Sequence, residues 1–466
     1  MLTPSPSAAP AAAPTIAIVG AGFSGALLAL NLLRRGPPDL RISLIEKHAG
    51  FGRGLAYAAH SPWRLLNVRV SNMSAWPDEP DHLARWLADQ GEPHARAQFI
   101  TRETFGRYVA SLLQAAVADP DGACRLVLEH DEAVAAEATE AGFTVRLAMG
   151  RSLAVDRVVL ATGHAPPADP PGVGLKALDK TRYAHDPWTP SALQGLEPDA
   201  SVLLLGSGLT MVDLALDLDA AGCRGPVLAL SRRGLSPHRH SGPVRLETPP
   251  EPDPGLPLSR RLLRMRRQAE AVGWREAVDA LRPFTQQLWR KASLDERRRF
   301  LRHLAPWWEA HRHRMAPAVA EWLETRQAEG RVQIRAGRLL KAEATDDGVA
   351  VTWRPRGEVE PSHMTVARII NCTGPSRDPQ AAPDALTRGL LAAGLARPDP
   401  LRLGLEVEAD GRVVDAAGRP SDRLYAVGPI TRAALWEITA VPDIRNQVAE
   451  TAATIAGVIS AQSRGR

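Results

Sequence analysis

The chain has 466 residues, which corresponds to about three domains of ordinary size, and 44% of the residues are hydrophobic. These values exclude a single small binding module and a chain that is disordered throughout. The formal net charge is +5, and arginine provides 52 of the 57 basic residues. Such a bias is typical of a GC-rich genome, so we predict no nucleic-acid partner.

The N-terminal segment and the cysteines indicate the compartment. Residues 1–13 lack the basic and apolar regions of a signal peptide, and we predict a disordered tail there. No apolar run reaches the roughly 18 residues of a membrane span. Cys124, Cys223 and Cys372 have no paired spacing, which argues against a disulfide framework or a zinc site. We therefore predict a cytoplasmic protein with no membrane partner and no metal, and leave the oligomeric state open.

Two segments of the chain have the same order of elements. A strand, a glycine turn, a helix and a second strand follow one another over residues 15–46, and the pattern returns over residues 201–231. Two such openings predict an α/β fold with two dinucleotide-binding, Rossmann-like domains and parallel sheets. The apolar runs at 157–163 and 367–374 each end in Thr-Gly and bracket the second unit. We interpret them as the crossings between the two domains.

These patterns give domain boundaries. We predict a first dinucleotide-binding domain formed by residues 14–165 together with 360–466, and a second formed by residues 175–359. A helical insertion is expected within the second domain at about residues 250–329. A proline-rich linker at 246–259 precedes it.

The insertion carries a dense set of charged and aromatic residues. Ser293-Leu294-Asp295-Glu296 has the form of a capping box and predicts a helix start. The segment Trp307–Arg314 is either a helix end with solvated arginines or part of a binding pocket. Its His311 and His313 are two residues apart and diverge on a helix, which argues against a metal pair. If arginines of residues 260–314 line a cleft, they would concentrate anions there.

The first glycine turn predicts a cofactor site. Gly20-Ala21-Gly22-Phe23-Ser24-Gly25 fits G-x-G-x-x-G between a strand and a helix, and Glu46 ends the next strand 21 residues after Gly25. Glycines permit a tight turn and close approach of a pyrophosphate to the helix N-terminus, while the acid accepts hydrogen bonds from ribose hydroxyls. The predicted set for this cofactor is Gly20, Gly22, Ser24, Gly25, Glu46, Lys47, Gly163 and Gly428.

The second turn matches the pattern less completely. Gly206 and Gly208 are present, but Met211 stands where a third glycine is expected. The strand that follows ends in Arg232 and Arg233, at the position that Glu46 has in the first unit. Arginines there suit the 2′-phosphate of NADPH, whereas a carboxylate suits NADH. We predict NADPH, with NADH as the alternative, or a solvated strand end without a cofactor role.

A polar stretch follows the first unit and indicates a second ligand surface near its cofactor. It includes Gly52–Tyr57 and Asn67, and Asn67 is the predicted catalytic residue, either next to the reacting edge of the cofactor or bonded to its own loop backbone. His60 and His164 lie near these motifs, and we interpret both as surface histidines with hydrogen bonds. The sequence has no G-x-S-x-G, no H-E-x-x-H and no paired carboxylate set, so it lacks the residues of a hydrolase.

The motifs together resemble a known family. GAGFSG, GRGLAY, LLNV, NMSAWPDEPDHLARWL, ATGH, GSGLTMVD, SRRG and LWEITAVPDIRNQ are similar to the bacterial FAD/NAD(P)-binding group that includes an FAD-dependent urate hydroxylase and aspartate N-monooxygenases. The resemblance covers most of the chain from Thr15 onward. It departs at Gly428-Pro429, where many related flavoproteins carry Gly-Asp, and Asp443 is not an obvious substitute.

The resemblance implies a flavin monooxygenase with an FAD-binding domain at residues 14–165 and 360–466 and an NAD(P)H-binding domain at residues 175–359. Such an enzyme binds FAD, NADPH, dioxygen and a small substrate. The resemblance also implies oxygen transfer through a flavin C4a-hydroperoxide, with hydroxylation of urate as the first expectation and N-hydroxylation of an amino acid or amine as the second. Both expectations assume a small, polar and anionic substrate. The alternatives are a flavin-dependent quinone reductase or other NADPH oxidoreductase, and a regulatory flavoprotein without catalysis. A disulfide reductase would need a cysteine pair, which the sequence lacks.

Overall fold

The computed structural model describes residues 13–58, 61–93, 95–240, 253, 255–381 and 384–464. The predicted tail at 1–13 falls outside these ranges except for its last residue. His60 and most of the predicted linker at 246–259 also lie outside them.

The elements of these ranges alternate between strands and helices. The strands are β1 (Thr15–Val19), β2 (Arg41–Glu46), β3 (Leu126–His130), β4 (Ala133–Ala138), β5 (Phe143–Leu147), β6 (Ser152–Val155), β7 (Arg157–Leu160), β8 (Ala165–Pro167), β9 (Tyr183–Ala184), β10 (Val202–Leu205), β11 (Val227–Ser231), β12 (Val332–Thr345), β13 (Gly348–Pro355), β14 (Ser362–Val366), β15 (Arg368–Asn371), β16 (Pro375–Ser376), β17 (Arg412–Val414) and β18 (Pro420–Ala426). The α-helices are α1 (Phe23–Arg35), α2 (Gly54–Tyr57), α3 (His82–Asp89), α4 (Arg102–Ala118), α5 (Pro120–Arg125), α6 (Leu209–Ala220), α7 (Leu258–Val272), α8 (Trp274–Leu281), α9 (Thr285–Lys291), α10 (Leu294–Arg299), α11 (Ala305–Arg312), α12 (Pro317–Ala328), α13 (Ala385–Ala392) and α14 (Val441–Arg464).

The first sheet has the strand order β17-β18-β7-β1-β2-β3. Its strand β1 pairs in parallel with both β2 and β7, and both of its faces are buried. Ile16 and Ile18 pack on one face with the apolar residues of α1 and α14, while Ala17 and Val19 pack on the other with β5 and α13. This alternation follows from the two-residue period of a strand, and a central parallel strand covered on both sides is apolar throughout.

The second sheet has the order β14-β13-β12-β11-β10-β15-β9, and β10 pairs in parallel with β11 and β15. The predicted fold class is confirmed by these two parallel cores. The second sheet continues through β15 to Asn371, however, so the boundary predicted between residues 359 and 360 was wrong. Beyond residue 360, β14 pairs antiparallel with β13 and β15 pairs in parallel with β10, so both strands belong to the second sheet.

The two connections between the sheets run side by side. The segment after β7 continues into β8, the segment after β15 continues into β16, and β8 and β16 pair antiparallel. The Thr-Gly turns thus lie where the chain crosses between the sheets, as predicted.

The insertion between β11 and β12 is helical, and α7 to α12 lie within it. The predicted capping box is present: Ser293 accepts from the backbone N–H of Glu296, whose side chain accepts from the backbone N–H of Ser293. Across the described part of the chain, no helix is long and apolar enough to cross a membrane.

Candidate functional site

The first glycine turn has no room for a side chain at Gly20 or Gly25. Gly20 has φ +99°, and a Cβ there would lie 2.4 Å from the carbonyl oxygen of Ala161 at the end of β7. A Cβ on Gly25 would lie 1.9 Å from the carbonyl oxygen of Gly20. Gly22 caps α1 without any side-chain bond to the helix N-terminus. The backbone N–H groups at the N-terminus of α1 and the glycines before it fit the diphosphate of a dinucleotide.

The acid predicted to bind ribose lies beside this turn. Glu46 is buried, and its carboxylate accepts hydrogen bonds from the backbone N–H groups of Ala21 at 2.8 Å and His48 at 3.0 Å. The carboxylate thus ties the end of β2 to the glycine turn. Lys47 faces away from this arrangement and forms an exposed ion pair with Glu132 at 3.0 Å.

The glycine-rich stretch at residues 52–57 folds back onto the same turn. The N–H of Gly52 donates to the carbonyl oxygen of Ala21 at 2.7 Å, and a Cβ on Gly54 would lie 2.9 Å from the Cα of Gly22. Only a backbone without a side chain permits this approach. The stretch therefore lies against the turn of Gly20 to Gly25, and we call the two together the first cradle. The sequence had indicated a second ligand surface at this stretch.

Gly428 reaches the first turn of α1 from the opposite end of the chain. It has φ +76°, and a Cβ there would lie 2.4 Å from the Oγ of Ser24. Its N–H donates to Oε1 of Gln447 at 2.8 Å, and its carbonyl oxygen accepts from the hydroxyl of Thr431 at 2.8 Å. Gln447 and Thr431 hold this loop in the absence of the usual aspartate. The sequence analysis did not select either residue, although Gln447 closes the quoted motif PDIRNQ.

Gly163 and His164 follow β7 at the same edge of the sheet. Gly163 has φ +72°, and no atom lies within 4 Å of a Cβ placed on it. His164 has an exposed side chain, and desolvation together with the guanidinium groups of Arg432 and Arg377 lowers its pKa to about 4. The imidazole is therefore neutral at pH 7.

The turn of Gly206 and Gly208 forms the second cradle, which is open at the N-terminus of α6. Gly206 has φ +121°, and a Cβ there would lie 2.3 Å from the carbonyl oxygen of Cys372. Gly208 precedes α6 without a side-chain cap, and no atom of the described residues lies within 4 Å of a Cβ placed on it. Met211, in place of the third glycine, is fully buried in the core under the sheet. Met211 therefore contributes to the packing of the core, and the N-terminus of α6 stays available to a phosphate.

The two arginines after β11 differ in their surroundings. Arg232 is exposed, and none of the described residues forms an ion pair with it. Arg233 donates to the carbonyl oxygen of Arg302 at 3.1 Å, in the insertion. Ser231 sits between them and the turn, because its hydroxyl accepts from Ser207 at 2.8 Å and from the N–H of Gly234 at 3.0 Å.

Asn67 lies where the two units meet. Nearby Arg64 and Arg102 form ion pairs with Asp217 and Asp213 on α6. The carbonyl oxygen of Asn67 accepts a hydrogen bond from Nε2 of His240 at 2.8 Å. The predicted catalytic amide is thus on a segment that is fixed to both units.

The charged side chains of α11 form ion pairs within the protein, whereas the sequence indicated solvated arginines or part of a binding pocket. Arg312 and Glu437 form a buried pair at 2.7 Å, and the indole N–H of Trp308 also donates to Glu437 at 2.7 Å. Arg432 donates to Glu309 at 2.8 Å. Burial raises the pKa of Glu309, but His313 and Arg432 outweigh it and hold that pKa well below its usual range.

Arg314 likewise pairs with Asp279 at 2.8 Å. These cations have carboxylate partners inside the protein, so the expectation that this segment presents free positive charge to an anion is wrong for them. The partners lie far away in the sequence, and no local pattern announces them.

The imidazole of His311 gives a testable pH dependence. Its ring lies 4.4 Å from that of His238 and is stacked 5.4 Å from that of Trp274. Burial, His238 and Arg314 lower its pKa to about 4. Between pH 6.5 and 4 the unfolded chain binds the proton more readily, so His311 makes stability fall as the pH falls in that window.

We expect the His311→Gln variant to lose less thermal stability than the unchanged protein between pH 7.5 and pH 5. Differential scanning fluorimetry of both proteins across this range measures the change. Equal losses of Tm in the two proteins would show that the imidazole does not contribute.

With both cradles defined, the chain can be compared with known proteins. Residues 17–165 match the FAD-NAD(P)-binding family. This range contains the first glycine turn, Glu46 and Gly163, and the match confirms the prediction of FAD and a nicotinamide dinucleotide as the cofactors. No curated protein matches the chain.

Solved structures match over nearly the whole length. An ornithine N-hydroxylase from Kutzneria sp. 744, in a structure with reduced FAD, NADP+ and L-ornithine, has a TM-score of 0.65 and 16% identity over 96% of this chain and 99% of its own. An L-lysine 6-monooxygenase from Pseudomonas syringae has a TM-score of 0.63 and 16% identity over 96% of this chain and 100% of its own. A cadaverine monooxygenase bound to FAD, from Erwinia amylovora, has a TM-score of 0.64 and 13% identity over 95% and 94% of the two chains. At these identities the likeness establishes the fold.

Proposed function

We propose that the protein is an FAD- and NADPH-dependent monooxygenase that hydroxylates the nitrogen of an amine. The observation that carries the proposal is the correspondence, over at least 94% of both chains, with three structures named as amine-oxygenating enzymes. The overall reaction balances as an amine, dioxygen, NADPH and a proton giving a hydroxylamine, NADP+ and water.

The residues of the two cradles divide the work of binding. We assign the diphosphate of FAD to the turn of Gly20, Gly22 and Gly25, and that of NADPH to the turn of Gly206 and Gly208. When bound, FAD supplies the redox chemistry that moves reducing equivalents from NADPH to dioxygen and an oxygen atom to the substrate. The protein has to place the ligands and keep water away, which explains why no nucleophile or carboxylate pair is needed.

Two polar groups near the junction have different roles in this scheme. Asn67 is our proposed polar neighbour of the reacting atoms, because its segment is held between the first unit and α6. His164 is a poor general base, since a pKa of about 4 lies far below that of an ammonium group and below a working pH near neutrality. His164 is therefore not the group that takes a proton from an amine substrate.

The amine has better support than urate, which was the first expectation from the sequence. The anion argument depended on the arginines of residues 260–314, and two of these, Arg312 and Arg314, have carboxylate partners. The neighbours with the same fold act on ornithine, lysine and cadaverine according to their names. A disulfide reductase is not supported, because all three cysteines are free and burial raises the pKa of the Cys372 thiol.

The proposed function is tested by NADPH oxidation in the FAD-loaded protein. We expect oxidation to increase when an amine is added, and we expect a hydroxylamine in mass spectra of the product. Urate serves as the comparison substrate in the same assay. Amine-independent oxidation, with electrons accepted by a quinone instead, would support the reductase alternative.

The choice of nicotinamide cofactor is tested at Arg232. Loss of one charge-assisted contact with the 2′-phosphate costs about 1.5–3 kcal/mol, so Arg232→Ala should lower the ratio of kcat/KM for NADPH over NADH by about 10- to 100-fold. Arg233→Ala is the matched control and should have the smaller effect, because Arg233 already binds the carbonyl oxygen of Arg302. An unchanged ratio in Arg232→Ala would rule out its assignment.

A further inference from the structure

The helical insertion encloses a cavity that the cofactor sites do not use. Its volume is about 700 Å³, and helices α7 to α11 form most of its wall. This volume lies in the range of pockets that hold a small organic molecule. The arginine density of residues 260–314 had suggested an anion-binding cleft. The wall of this cavity is instead mainly apolar.

Aromatic rings dominate the wall, which is lined by Trp274, Trp289, Phe300, Trp307, Trp308 and Trp436. Trp289 and Trp436 are stacked with their centroids 4.7 Å apart, and Phe300 meets Trp436 edge-on at 5.2 Å. Aliphatic side chains of α7 and α9, including Leu262 and Leu288, complete the surface. Such a wall favours a ligand with a ring, through apolar burial and ring–ring contacts.

The charges at the cavity are predominantly positive. Arg261 is already paired with Glu296 at 3.1 Å. Arg264 and Arg266 also line the cavity and are exposed, and no carboxylate in the described ranges forms an ion pair with either. These two guanidinium groups complement a carboxylate on the ligand.

The cavity shares a wall with the loop that follows Gly428. Trp289 donates its indole N–H to the carbonyl oxygen of Ala433 at 2.8 Å, and the guanidinium of Arg432 lies 4.5 Å from the centre of the Trp436 ring. Trp436 therefore separates the cavity from the cluster of Arg432 and Glu309. This location connects the insertion to the edge of the first cradle, where Gly428 meets Ser24.

We propose that this cavity binds an aromatic carboxylate, with the ring between the tryptophans and the carboxylate near Arg264 and Arg266. A short aliphatic amine or aspartate would leave the aromatic wall without a partner.

Binding is measured first, without turnover, by isothermal titration calorimetry of the FAD-loaded chain. The probe is 3-phenylpropionate, which has the ring and the carboxylate but no amine to oxidise. We expect it to bind, and L-aspartate to bind at least about tenfold more weakly because it has no ring to bury.

Neighbouring residues on α7 provide matched variants. Leu262→Trp adds bulk inside the cavity and should weaken 3-phenylpropionate at least about tenfold, whereas Leu263→Trp, on the exposed side, should leave it unchanged. Arg264→Gln should weaken it more than Arg267→Gln, since only Arg264 lines the cavity. No binding to the unchanged protein, or equal effects of the two tryptophan substitutions, would overturn the proposal.

Neither measurement needs an amine to be oxidised, so the outcome at the cavity is independent of the outcome for the proposed function.

Discussion

The Gly22→Val variant is expected to fold and to lose its bound FAD. Gly22 lies at the N-terminus of α1, where the only close neighbour of an added Cβ is the Cα of Gly54 at 3.4 Å. The branched side chain would occupy the space above the helix N-terminus that the diphosphate needs. The absorbance spectrum of the purified variant measures its flavin content.

Gly208→Val is the matched control, because Gly208 has the same place before α6. It should keep FAD and lose reduction by NADPH. Circular dichroism checks that both variants retain their secondary structure. Stoichiometric FAD in folded Gly22→Val would show that the first turn is not the flavin site.

The second large effect is expected at Glu437. Its carboxylate is buried and accepts from Arg312 and from the indole of Trp308, both at 2.7 Å. Glu437→Ala leaves a guanidinium buried without its counter-charge, which destabilises a protein by about 3–5 kcal/mol. Equilibrium denaturation followed by tryptophan fluorescence measures the free energy of unfolding.

An exposed ion pair provides the control for this substitution. Glu132→Ala removes the partner of Lys47, whose side chain is 47% exposed, and should change the free energy of unfolding by at most about 1 kcal/mol. The Arg312→Met, Glu437→Leu double variant should be more stable than Glu437→Ala, since it removes both charges. Equal losses in Glu437→Ala and Glu132→Ala would contradict the role of the buried pair.

The parts of the fold that depend on local sequence could be predicted. The turn from Gly20 to Gly25 is specified within six residues, and a Cβ on Gly25 would meet the carbonyl oxygen of Gly20 in the same turn. The capping box at Ser293 is equally local. The parallel strands could be predicted because a strand that is buried on both faces needs a continuous apolar run.

The parts that depend on distant partners could not be predicted. Arg312 meets Glu437 across 125 residues of chain, so its charge looked free in the sequence. The predicted boundary at residue 360 lies before β14, which pairs with β13 in the second sheet. The sequence of a strand does not show which sheet it joins. The aromatic cavity is formed mainly by side chains from five helices together with Trp436 from a loop, and each one alone is typical of an ordinary core residue.

The central claim is that the protein transfers one atom of dioxygen to the nitrogen of an amine at the expense of NADPH. The most direct measurement is a single reaction of the FAD-loaded protein with NADPH and L-phenylalanine or an aliphatic amine under isotopically labelled dioxygen. The account predicts a hydroxylamine that carries one labelled oxygen atom, formed in proportion to the NADPH consumed. NADPH consumption that yields only hydrogen peroxide or reduced quinone, with no labelled hydroxylamine from any amine, would contradict it.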